Sequence, residues 1–68
     1  MVLTLGQRAV LTTLLEMYGF RQLAELSGIP KTTLYYMNVG LDRKYYLHTI
    51  EKLADMGGMT ASEFLALP

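Results

Sequence analysis

An all-α fold of five short helices is what this 68-residue sequence predicts. Three observations point there. Apolar residues recur three and four positions apart, the spacing of one helix face. Two Thr-x-x-Gln/Glu pairs, Thr4 with Gln7 and Thr60 with Glu63, stand in the capping-box relation that opens a helix. Glycines stand where those periodic segments stop, and no segment alternates convincingly as a half-buried strand does.

The first helix is expected from about Leu5 to Tyr18. Val10, Leu14 and Met17, with Leu11, Leu15 and Tyr18, form its wide apolar face, and Gly19 ends it. The second is expected from about Phe20 to Ser27, with Leu23, Ala24 and Leu26 inward. Gly28 can adopt the left-handed conformation that closes a helix cheaply. Pro30 fixes φ and suits a new first turn, so a third helix is expected from Pro30 or Lys31 to about Val39, closed by Gly40. Leu41 to Tyr45 reads as a charged loop. The fourth helix is expected from about Tyr46 to Met56, with Leu47, Ile50, Leu53 and Ala54 inward, until Gly57 and Gly58 stop it. Thr60 starts the fifth, and Met59 and Phe64 occupy the positions of a hydrophobic staple.

Composition narrows what such a domain can be. Residues 1–68 make one domain, and a chain this short buries only roughly 60% of its unfolded surface. Without cysteine it has neither a disulfide nor a thiolate metal site, and one histidine, His48, assembles no zinc cage. No cofactor or metal is expected. The apolar fraction is 51%, rich for a solvated monomer, so association with a second copy is expected. Net charge is zero, yet Arg21, Lys31, Arg43, Lys44 and Lys52 face only Glu25, Asp42 and Glu51 within the middle of the chain. The tail beyond Lys52 holds Asp55 and Glu63 and no base. A basic middle with an acidic tail fits one anion-facing side. No apolar run is long enough to span a bilayer, and the start lacks a basic region before its apolar residues, so a cytoplasmic protein without a membrane partner is expected. No nucleophile–base pair, paired carboxylate or phosphate-cradling glycine loop is recognisable, so neither catalysis nor a small-molecule substrate is expected.

The stretch from Leu23 to Gly40 carries the functional signal. Two helices joined by a glycine-containing turn form the helix-turn-helix unit. Such a unit needs a small residue where the helices cross, a glycine in the turn, and an apolar pair on the second helix facing the core. Ala24, Gly28, Leu34 and Met37 meet these needs in order, with Leu23 and Ile29 adding apolar support.

The segment "LAELSGIPKTTLYYMNVG" resembles the Cro/CI-type (lambda-repressor-like, xenobiotic-response-element) DNA-binding domains, and "IEKLADMGGMTASEFL" resembles the fourth and fifth helices of that family. The resemblance runs from about Leu5 to Leu67. It implies a five-helix domain that binds operator DNA as a homodimer, with the third helix in the major groove and half-sites about 34 to 36 Å apart. By position, Lys31, Thr32 and Tyr36, with Tyr35 alongside, are implied to touch base edges. Thr33 shares that turn and leans toward the second helix. Arg21, Gln22, Asn38, Arg43 and Lys44 complete the expected DNA-binding set through phosphate contacts. The family usually carries a glutamine at the first residue of the second helix. Here Phe20 stands there, Gln22 follows two positions later, and Val39 occupies a place that is often polar.

Each residue also has a plainer reading. Lys31, Thr32 and Thr33 suit any helix's first turn. Tyr35 and Tyr36 can lie partly buried with wet hydroxyls. Asn38, Arg43 and Lys44 suit a solvated helix end and loop, and His48 an exposed or partly packed side chain. The five methionines read as core filler. Tyr45, Tyr46, Phe64, Leu65 and Leu67 exceed what so small a core can bury and are expected at the dimer interface. The expected function is that of a small Cro-like repressor, a sequence-specific transcriptional regulator. The alternative is an antitoxin-like protein-interaction module that uses the same helices.

Overall fold

In the computed structural model, which describes Met1–Pro68, the chain forms four helices and no strand: α1 (Leu5–Ser27), α2 (Lys31–Asn38), α3 (Leu47–Met56) and α4 (Ala61–Leu65). The count is four rather than five because helical pairing resumes at once on either side of Gly19. No loop separates the two segments. Gly19 itself is not helical, with φ 78° and ψ 167°, so α1 is broken at this residue. A left-handed φ of that size is cheap only for glycine.

Both capping boxes form. The Thr4 hydroxyl accepts the Gln7 N–H at 3.2 Å, and Gln7 Oε1 accepts the Thr4 N–H at 2.9 Å. Gln7 is buried, and its Nε2 donates to the Phe64 carbonyl at 3.2 Å. The Thr4 hydroxyl also donates to the Leu67 carbonyl at 3.0 Å. The start of α1 is thus stitched to the end of α4 across 57 and 63 residues of sequence. At α4 the Thr60 N–H donates to the Glu63 carboxylate and the Glu63 N–H to the Thr60 hydroxyl, and hydrogen bonding from Thr60, its backbone N–H foremost, holds the Glu63 carboxyl below its ordinary pKa.

The core lies where the helices converge. Leu3, Leu11, Leu14 and Leu23 enter it from the N-terminal half, and Ile29 from the turn. Leu34 and Met37 come from α2, Ile50, Leu53 and Ala54 from α3, and Phe64 from α4. The pairs expected to face inward on α2 and α3 do so, apart from Leu47. Three residues expected inward are exposed: Met17, Leu26 and Leu47. Each lies at the end of a helical segment, beside the Gly19 break, in the last turn of α1 or in the first turn of α3. Periodicity fixes the direction of such a side chain but does not supply an element to cover it. Met17 in fact borders an open hollow of about 360 Å³ with Val10, Leu14 and Met56.

Gly57, the residue just after α3, lies close against Val10 of α1. A Cβ there would stand 2.8 Å from Val10 Cγ1. Val10 is β-branched and stiff at χ1, so it has little room to yield. Gly57→Ala is expected to destabilise the fold by about 1–3 kcal/mol through overpacking. Thermal melts of Gly57→Ala with and without Val10→Ala check this, because the second change should relieve most of the cost.

Candidate nucleic-acid interface

Residues Gly28 to Pro30 turn the chain between α1 and α2. Gly28 is left-handed, with φ 74°, and its N–H donates to the Ala24 carbonyl at 2.9 Å. Ile29 drops into the core, and its N–H donates to the Ser27 hydroxyl at 3.1 Å. Pro30 then opens α2, and no side chain caps that helix. Its first turn holds Lys31 and no acid, so a cation sits at the end of a helix that already carries partial positive charge.

With Leu34 and Met37 buried, the rest of α2 is sorted by its spacing. Lys31 and Thr32 are exposed, Thr33 is half-buried, and Tyr35 is 54% exposed. Tyr36 is half-buried, and the Arg43 guanidinium lies 4.5 Å from its ring centroid. A cation over a ring face is attracted by the ring quadrupole, so each side chain holds the other in place. Tyr36 meets Tyr35 edge-on at 6.2 Å, and Tyr35 meets Phe20 at 6.4 Å with the planes tilted by 50°. One line of aromatic groups therefore runs from the broken α1 across α2 to the loop. Phe20, Lys31, Thr32, Tyr35 and Tyr36 enclose an open hollow of about 360 Å³ along it.

The other expected contact residues are dispersed around this line. Arg43 and Lys44 are exposed in the loop after α2. Asp42, the acid beside them, pairs with the Met1 ammonium at 2.6 Å. Arg21 and Gln22 are exposed on α1, and Arg21 lies 3.5 Å from Glu25 in a solvent-exposed pair that holds it only weakly. Asn38 is half-buried, and its main-chain carbonyl accepts a bond from Arg8 Nη2 at 2.7 Å.

Arg8 and Lys52, neither of them among the expected contact residues, border α2 and the turn before it. Arg8 sits at the C-terminal end of α2, where a cation complements the helix dipole. Lys52 Nζ is 3.6 Å from where a Cβ on Gly28 would stand, beside the end of α1. Neither residue is near its target in sequence, and no local pattern marks it. Phe20 was visible only as a departure from a resembling pattern, and its packing against Tyr35 had no local signal.

The expected dimer residues divide. Phe64 is corrected: it is fully buried, because the single turn of α4 lays its ring into the core of its own subunit. Tyr45 and Leu67 are half-buried and pack against that core. Burial pushes the Tyr45 hydroxyl above its ordinary pKa, with Arg43 opposing and Asp42 adding to the shift, and the hydroxyl donates to the Leu41 carbonyl at 3.2 Å. Tyr46 and Leu65 remain exposed, and Tyr46 stacks on the exposed His48 at 5.4 Å. Of the methionines, Met37 is core, Met56 and Met59 are half-buried, and Met1 and Met17 are exposed.

No group of three or more His, Cys, Asp or Glu side chains gathers as metal ligands do, and no helix is long and apolar enough to cross a membrane. No family model matches the chain, and neither a curated protein nor a solved structure does so.

Proposed function

We propose that the segment from Phe20 to Asn38 acts as a helix-turn-helix unit and that the protein is a sequence-specific DNA-binding regulator, a small Cro-like repressor. The observation that carries this reading is the sorting of α2. Leu34 and Met37 anchor it, while Lys31, Thr32 and Tyr35 stand free and Tyr36 lies under Arg43. A helix held by two apolar side chains and presenting a lysine, hydroxyls and rings on its far side is suited to a major groove. Lys31 and Thr32 offer hydrogen bonds to base edges, and the rings offer apolar contact. Arg43 and Lys44 follow at the loop, placed to meet phosphates and fix the register of the helix. Repression is steric: an occupied operator blocks polymerase.

Two copies bind the operator. Exposed apolar groups away from α2, among them Tyr46, Leu47 and Leu65, furnish the contact between copies. That contact uses only part of the set expected from sequence, since Phe64 is spent on the core.

Selection of duplexes from a random pool, followed by sedimentation of the complex, tests this reading. Arg43→Ala is expected to weaken every selected duplex to a similar extent and to reduce the salt slope by about 1 per site, the signature of a phosphate contact. A change of base preference at one position would instead make Arg43 a base reader.

The exposed Tyr35 ring, the half-buried Tyr36 beside it and zero net charge also favour a second reading, an antitoxin-like module that binds another protein through these two tyrosines. Binding of that kind loses little affinity with salt, whereas DNA binding loses much.

A further inference from the structure

We propose that the hollow lined by Phe20, Lys31, Thr32, Tyr35 and Tyr36 receives the methyl-bearing edge of a thymine, which makes Phe20 a specificity-determining residue of the DNA-binding face. This inference rests on the DNA-binding reading above and adds the base class that α2 and the broken end of α1 select together.

Phe20 comes from the segment just beyond Gly19, and its ring packs on that of Tyr35 at 6.4 Å between centroids, so that both line the hollow. Lys31, Thr32 and Tyr36 complete the lining. The only charged group among them is the Lys31 ammonium. Glu25, the acid on the same segment as Phe20, is 3.5 Å from Arg21. An apolar floor with a cationic rim fits a polyanion that offers apolar groups at intervals. In the major groove thymine alone presents a methyl. Phe20 can neither donate nor accept a hydrogen bond. A cytosine amine or a guanine carbonyl turned onto the ring itself finds no partner in it, which costs free energy, whereas Lys31 and Thr32 at the rim serve polar groups of the neighbouring base. A thymine methyl loses nothing there and gains burial. About 360 Å³ leaves room for the methyl and the ring edge that carries it.

The test changes the DNA before it changes the protein. Duplexes selected from a random pool are remade with each thymine replaced, one at a time, by deoxyuridine, which lacks only the methyl. At one position in each half-site the affinity of the unaltered protein is expected to fall about four-fold, the worth of one buried methyl. In Phe20→Ala the same replacement is expected to cost under about two-fold, because the surface that covered the methyl is gone. Tyr35→Ala, at an exposed position, gives the same comparison if Phe20→Ala fails to fold. Tight, salt-dependent binding that no deoxyuridine replacement alters overturns the thymine inference and leaves DNA binding standing. Failure to enrich any duplex overturns both, and capture of an apolar peptide at the hollow in its place does the same.

Discussion

Phe64→Ala is expected to cost about 3–5 kcal/mol, the range for truncating a fully buried phenylalanine. The side chain is 0% exposed and comes from a helix of only five residues. A chain of this length has a total stability of about 3–10 kcal/mol, so much of the variant should be unfolded at room temperature. Circular dichroism melts read this directly. The experiment also decides between two roles for the residue. At a seam between copies, Phe64→Ala would yield a folded monomer with a normal melt at low concentration. In the core it yields a loss of helix that dilution does not explain.

Gln7→Ala is expected to cost about 2 kcal/mol, though the substitution looks mild. The amide accepts from the Thr4 N–H and donates to the Phe64 carbonyl from a buried site. Removing it takes the acceptor from the Thr4 N–H and leaves the Phe64 carbonyl with the Leu67 N–H alone; the loss of these bonds from a buried side chain costs about 1–3 kcal/mol. A domain of this size should lose roughly 8–16 °C in Tm. Gln7→Glu sharpens the test. The carboxylate keeps the acceptor for Thr4 but faces the Phe64 carbonyl without a proton to give. Its folded-state pKa should therefore be raised, so stability should recover below the unfolded pKa and fall as pH rises through the folded one. Gln7→Ala should show no such recovery.

These two residues also show what the sequence revealed and what it concealed. The capping relation of Thr4 and Gln7 was legible, because it is local and depends on residue types three apart. The bond from Gln7 to Phe64 was not, because it spans 57 residues. Leu34 and Met37 were legible as inward residues from spacing and from the glycine turn before them. Met17, Leu26 and Leu47 read equally well by spacing and are exposed, since cover at a helix end is a tertiary property. The break at Gly19 was legible as a helix stop; what the sequence did not show is that this single residue suffices for it, with helix resuming at once on the far side. For the candidate interface, Lys31, Thr32, Tyr35 and Tyr36 could be placed on one helix from sequence. The line from Phe20 through the tyrosines to Arg43 joins three separate segments and required the packed molecule.

Affinity for a selected duplex, followed from about 50 to 200 mM salt, asks whether this surface neutralises phosphate. Arg43 and Lys44 in each of two copies give about four such contacts and a slope of log affinity on log salt near −3.6, a loss of roughly a hundred-fold over that range. A slope near zero, with tight binding retained, would contradict DNA recognition by this face of α2.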